Sequence, residues 1–147
     1  MPCLYYGDEL GMGDWPGLRD RDPNRTPMAW TPARNGGFST APDPLLVLPP
    51  ITAPGYDYRV VNVEVQKQLP GSLLNWHRRM LTCRRLLPAL RHGSFRLLHS
   101  PHPGVLVYLR CTEAMTVLVA ANVTAAGASL SLNLSEWAGQ RTREVMW

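Results

Sequence analysis

Arg21 and Arg25 stand four residues apart in a run that also holds Asp14, Asp20, Asp22 and Asn24. A guanidinium is a rigid, permanently charged fork. It can hold a carboxylate at two points and still offer a donor to a ligand hydroxyl. Asp8 and Glu9 lie upstream but are adjacent. On a strand they would face opposite ways, so they cannot act as a cooperating pair. They read as polar groups fixing a strand end and the loop after it. Asp20-x-Asp22-x-Asn24 opens like a calcium loop, but the sixth position is Arg25 where Gly is needed and the twelfth is Thr31 where Glu is needed, so the spacing excludes one. His92, His99 and His102 have no cysteine or carboxylate nearby in sequence to complete a metal set and read as surface histidines. No glycine loop suited to a phosphate is present.

The elements that must position these groups follow from periodicity. Residues 2–6 are apolar and aromatic and end at Gly7, the pattern of a buried strand. Residues 7–59 form one long excursion rich in Pro and Gly. Trp15, Met28, Trp30, Phe38 and Tyr56 are too many large apolar groups for a disordered linker, so an ordered loop over a binding site is expected. Trp15 and Trp30 could stack on a ring, but core packing is the simpler expectation for both. Residues 61–69 predict a short helix. Ser72 is a good N-cap for a stronger one, and Leu73, Trp76, Met80, Cys83 and Leu87 make an apolar stripe at helical period until Pro88 stops it. Arg78, Arg79, Arg84, Arg85 and Arg91 lie off that stripe, as a solvated helix face.

At Gly93 the period changes to two. Residues 95–99, 105–110, 115–123 and 130–134 predict short strands, and 143–147 the start of a fifth. Turns are expected at Pro101–Gly104, Ala125–Gly127 and Trp137–Gly139. Such spacing predicts an antiparallel sandwich.

Composition narrows the function. The net charge is +4, with fourteen arginines and the single lysine Lys67. Five of the arginines gather on one predicted helix, where a solvated face explains them, so no nucleic-acid partner is expected. No apolar run nears the roughly 18 residues of a membrane span, so no membrane partner is expected either. Cys3, Cys83 and Cys111 are odd in number, far apart and each in an apolar setting, which predicts reduced, buried thiols and a cytoplasmic location.

One stretch also resembles a known family. Tyr5-Tyr6-Gly7-Asp8-Glu9-Leu10-Gly11-Met12, Asp20-Arg21-Asp22, Arg25-Thr26-Pro27-Met28-x-Trp30 and Asn35-Gly36-Gly37-Phe38 are similar to the last barrel strand and following loop of the α-amylase family of glycoside hydrolases. Leu48-Pro49-Pro50-Ile51, Tyr56-x-Tyr58, Asn62-Val63-Glu64-Val65-Gln66 and Ser72-Leu73-Leu74-Asn75-Trp76 resemble its trehalose synthase branch more than its α-glucosidases.

The resemblance implies an α/β plus all-β architecture. Residues 1–92 would be the C-terminal portion of a (β/α)8 barrel, with its last strand, long loop and last helix, and 93–147 a partial antiparallel β-sandwich. A complete barrel takes roughly 250 residues, so 147 cannot make one. It implies a retaining exchange of glucose between maltose and trehalose, a disaccharide substrate, no cofactor and no metal. It leaves room for a homo-oligomer of the full-length enzyme. Retaining transfer needs two carboxyl groups about 5 Å apart. The family's pair comes from earlier strands with no match here, so no catalytic residue is assigned and the chain alone is expected to be inactive. By the same resemblance Arg25 lies beside the terminal glucose and limits the pocket to one sugar unit; its other reading is an arginine that only tethers the loop by salt bridges. Arg21 is the second substrate-binding candidate, with loop scaffolding beside Asp22 as its other reading. Two departures stand out: Ala29 occupies a position where the family has Gln, and Asp14-Trp15-Pro16 replaces the usual continuation. Two rival readings stand beside it: a fragment of a sibling α-glucosidase or oligo-1,6-glucosidase, and a non-catalytic carbohydrate-binding β module, with Tyr108 and Trp137 its only aromatic candidates.

Overall fold

A computed structural model describes residues 3–146. The described chain forms two compact units, divided between Arg79 and Met80.

The first unit is mostly loop. Short 3-10 turns at Asp8–Leu10, Asp22–Asn24, Arg34–Gly37 and Asp43–Leu45 carry the chain to its first helix, α1 (Val63–Gln68). The predicted buried strand at 2–6 is not one: residues 3–5 have no regular structure, Tyr6 begins a turn, and residue 2 lies outside the described residues. Leu4, Tyr5 and Tyr6 are 54%, 50% and 42% exposed. An extended segment becomes a strand only when a neighbour takes its backbone groups. Among the described residues none does. The Tyr5 amide donates instead to the Asp8 carboxylate at 2.9 Å, and the Gly7 amide to Glu9 at 3.0 Å. Asp8 and Glu9 therefore fix the chain end, as their adjacency implied.

The long excursion is ordered, and polar side chains hold it more than apolar ones do. Its buried apolar residues are only Leu10, Ala29 and Ile51, joined by Leu74 from the next helix. Side-chain amides hold it too, two of them buried (Asn35 and Asn62) and one half-buried (Gln66). Asn62 Nδ2 donates to the Tyr58 carbonyl at 2.9 Å, and its Oδ1 accepts from the Val65 amide at 2.9 Å, which caps α1. Gln66 Nε2 donates to the Leu10 carbonyl at 2.7 Å while its Oε1 accepts from the Leu74 amide at 3.0 Å, tying three segments together. Asn35, buried and in the left-handed region (φ 57°), donates to the carbonyls of Ser39 and Ala41. Val63 and Glu64 donate their amides to the carbonyls of Ala29 and Trp30, so the loop closes the open N-terminus of α1. At Ala29 the main chain does this work, and its methyl is buried at 3% exposure. Trp30 is half exposed and does not pack in the core as expected.

Asp57 accepts from both the Arg59 side chain and the Arg59 amide, and this holds its carboxyl below the ordinary value of 3.8. A depressed folded value means the contribution is present above about 3.8 and lost as pH falls through the lower folded value. Between pH 6 and pH 2.5 the wild-type chain should therefore lose more stability than Asp57→Asn. Melting midpoints at the two pH values check this; equal losses would remove the carboxylate from the account.

Ser72 caps the next helix, α2 (Leu73–Leu86), through the Asn75 amide, as the sequence predicts. On its stripe Leu73 and Trp76 remain 40% and 39% exposed, and only neighbouring Leu74 is buried along the helix. Pro88 ends α2 but opens a further short helix, α3 (Pro88–His92), because proline suits a first helical turn.

The second unit is built on a three-stranded antiparallel sheet, β1 (Ser94–Leu97), β2 (Val105–Cys111) and β3 (Thr116–Asn122), in the order β1-β2-β3. Val105, Val107 and Leu109 of the central strand are buried and alternate with exposed or half-buried neighbours. Its other face carries Phe95, Leu97 and Leu106, 58%, 62% and 46% exposed. Phe95 lies 5.2 Å from the Tyr108 ring. Arg96 sits over Trp137 at 5.1 Å and pairs with Glu136 at 2.9 Å, so Trp137 is no free stacking platform.

The predicted strand at 130–134 is irregular, although Leu130, Leu132 and Leu134 are half-buried and Ser129, Ser131 and Asn133 exposed. The alternation sets burial there without a partner to make a ladder. Residues 143–146 are also irregular, and 147 lies outside the described residues. Among the described residues one sheet is present where the sandwich needs two. Cys3 is exposed and Cys83 and Cys111 are half-buried; all three are free thiols, unlike the buried ones expected. Among the described residues no helix is long and apolar enough to cross a membrane.

Gly93 joins α3 to β1. A Cβ there would meet the Ala89 and Cys111 carbonyl oxygens at 2.5 and 2.8 Å, both backbone and unable to swing away. Gly93→Ala should destabilise the sheet unit by about 2 kcal/mol, read as lost amide protection in β2. Unchanged protection would mean that the junction yields.

Candidate substrate cleft

Arg21 and Arg25 line one cleft of about 520 Å3. That lies within the roughly 300–1,000 Å3 usual for small-molecule sites. Tyr5, Tyr6, Gly7, Asp8, Met12 and Asp14 line the same cleft. The structure places both sequence candidates on this one cleft. The structure adds the tyrosines, which the sequence placed inside a buried strand. Their hydroxyls beside Gly7 were the available signal.

Each wall is set by local chemistry. Gly7 takes φ 93° and Gly11 φ 68°, values that let the chain turn on both sides of Asp8–Leu10. The Trp15 amide donates to the Pro23 carbonyl at 3.0 Å, closing the base of the segment that carries Arg21. The Arg25 amide donates to the Asp22 carbonyl at 3.0 Å and ends the 3-10 turn Asp22–Asn24. Thr26 is buried, and its carbonyl accepts from the Tyr6 hydroxyl at 2.8 Å. Burial and the neighbouring Tyr5 push the Tyr6 phenol above its ordinary value, while the Arg25 charge acts to lower it.

The ion pairs among the described residues are Arg34–Asp43, Arg59–Asp57 and Arg96–Glu136. Neither Arg21 nor Arg25 takes part. Among the described residues, then, Arg25 is not a salt-bridge tether for the loop. Its exposed guanidinium keeps its donors for a ligand or for a carboxylate from elsewhere. Asp8 accepts from the Tyr5 amide at 2.9 Å. The cleft can bind and orient hydroxyl groups. Trp15 and Trp30 are not among its lining residues.

Gly13 also lines it, and a Cβ there would lie 2.5 Å from the Tyr56 ring. Gly13→Ala should displace that ring and cost about 1–3 kcal/mol. Shifts of the Tyr56 ring protons check it; unmoved ring signals would show that the wall absorbs the methyl.

Residues 1–93 match the profile described as alpha amylase, catalytic domain. The chain belongs to the α-amylase family. Residues 95–147 match the maltogenic amylase C-terminal domain. The trehalose synthase/amylase of Mycobacterium tuberculosis is 48% identical over 139 residues, 92% of this chain and 23% of that protein. The trehalose synthase of Pimelobacter is 53% identical over 109 residues, 74% of this chain and 19% of that protein. Among solved structures, the alpha-glucosyl transfer enzyme XgtA superposes with a TM-score of 0.74 at 32% identity, over 98% of this chain and 28% of that one. The chain thus spans between 19% and 28% of these α-amylase relatives, and the match runs through both of its units.

Proposed function

We propose that this chain is the C-terminal part of a trehalose synthase: an enzyme that interconverts maltose and trehalose by retaining glucosyl transfer. In this reading residues 1–92 close a (β/α)8 barrel and 93–147 belong to a β-sandwich. Arg25 donates to hydroxyls of the terminal glucose and limits the site to one sugar unit, and Arg21 supports it from the same wall. The nucleophile and the acid/base come from polypeptide outside the chain. They would act through a covalent glucosyl intermediate in a water-poor pocket.

The observation that carries the reading is the joining of two arginines, free of ion pairs among the described residues, in one sugar-sized cleft on a chain 48% identical to a trehalose synthase. The open stripe of α2 supports it, since a helix of the barrel's outer ring would bury that stripe on strands not found here. The open face of the sheet likewise suits a second sheet. The complete enzyme would take a disaccharide as its partner, use no cofactor and reside in the cytoplasm.

A chimera tests this directly. The 147 residues replace the matching segment of the Mycobacterium tuberculosis trehalose synthase, and maltose is supplied. Trehalose as the main product is expected, and none from the 147-residue chain alone. Glucose as the main product would favour a sibling hydrolase. Maltose binding by residues 93–147 alone would favour the carbohydrate-binding module.

A further inference from the structure

We propose that Tyr6 is the positioning residue for Arg25, a role that rests on the sugar-binding reading of that arginine and extends it. The Tyr6 hydroxyl donates to the Thr26 carbonyl at 2.8 Å, twenty residues along the chain. Every residue between them belongs to the excursion that leaves the chain end at Gly7 and returns with Arg25. This bond closes the excursion on itself at the residue following Arg25. Thr26 is 2% exposed, so the closure point is fixed while the neighbouring guanidinium stays open to solvent. Among the described residues no ion pair holds Arg25 in place. Its position on the cleft wall therefore depends on its backbone. That backbone is pinned on one side by the amide bond to Asp22 and on the other by Tyr6. Tyr6 and Arg25 line the same cleft, and the guanidinium charge reaches the phenol. Pre-ordering a long side chain before the ligand arrives lowers the entropy that binding must supply.

Three measurements on the 147-residue chain test this. The first is the order of the Arg25 Nε–Hε vector by nitrogen-15 relaxation without ligand. It should fall in Tyr6→Phe while the α1 amides stay unchanged; an unmoved vector overturns the proposal. The second needs no change at Tyr6. In Arg25→Gln the Tyr6 phenol should ionise at higher pH, because the charge that favours phenolate is gone; an unmoved midpoint overturns it. The third is maltose affinity by chemical-shift titration. Tyr6→Phe should weaken it by about three- to ten-fold, and the same change made in Arg25→Gln should add nothing. Equal losses in both backgrounds would make Tyr6 an independent contact and overturn the proposal. If maltose binds wild type and Arg25→Gln equally, the sugar-binding reading fails, while the first two measurements still decide the positioning role.

Discussion

Asn62→Ala is expected to cost the loop-bearing unit about 3 kcal/mol. Asn62 is fully buried and makes two bonds at once. Its Oδ1 serves the Val65 amide at the start of α1, and its Nδ2 serves the Tyr58 carbonyl, both at 2.9 Å. Alanine removes the cap, worth about 1 kcal/mol. It also leaves the half-buried Tyr58 carbonyl without a donor, a further loss of about 1–3 kcal/mol. The contrast is Asn133, whose Oδ1 accepts from the Ser135 amide at 3.1 Å in an exposed turn. There water replaces the lost partner, and Asn133→Ala should cost less than about 0.5 kcal/mol. Hydrogen exchange at the α1 amides and urea titration separate the two. A loss at Asn62 no larger than at Asn133 would mean that apolar packing, not buried amides, holds the loop.

That contrast explains what the sequence made legible. α1 and the Ser72 cap of α2 were readable because each depends on neighbours within a few residues, and the three sheet strands because each alternating run pairs with the next one along the chain. Asn62 read only as part of a motif; that its amide would be buried as a cap could not be seen. Tyr5 and Tyr6 misled because apolar and aromatic content marks a strand only if another strand lies alongside, and none does among the described residues. Residues 130–134 failed the same way: leucines turn inward and serines outward, but the ladder needs an edge to join. The site divides similarly. Arg21 and Arg25 were legible as types at a spacing that resembles a known loop. The Tyr6–Thr26 closure, across twenty residues of irregular chain, had no periodic trace.

In the chimera, Arg25→Ala should lower kcat/KM for maltose on the order of 100-fold. A hydrogen bond from a charged donor is worth about 1.5–3 kcal/mol. At about 1.4 kcal/mol per factor of ten, two such bonds to one sugar make the stated loss a modest claim. Arg25→Lys should recover only part of it, remaining about ten-fold down, since a point charge on a flexible stem cannot reproduce a planar fork. Arg21→Ala should act mainly on KM and by less, if Arg21 only supports the wall. The product ratio carries the stronger test. A pocket that loses its boundary at Arg25 should hold the glucosyl group less tightly and admit water. Free glucose should then rise relative to trehalose in Arg25→Ala, whereas a residue that only stabilised the fold would lower both products together. A constant ratio, with full activity recovered at lower temperature, would assign Arg25 to the scaffold and leave the cleft without its sugar contact.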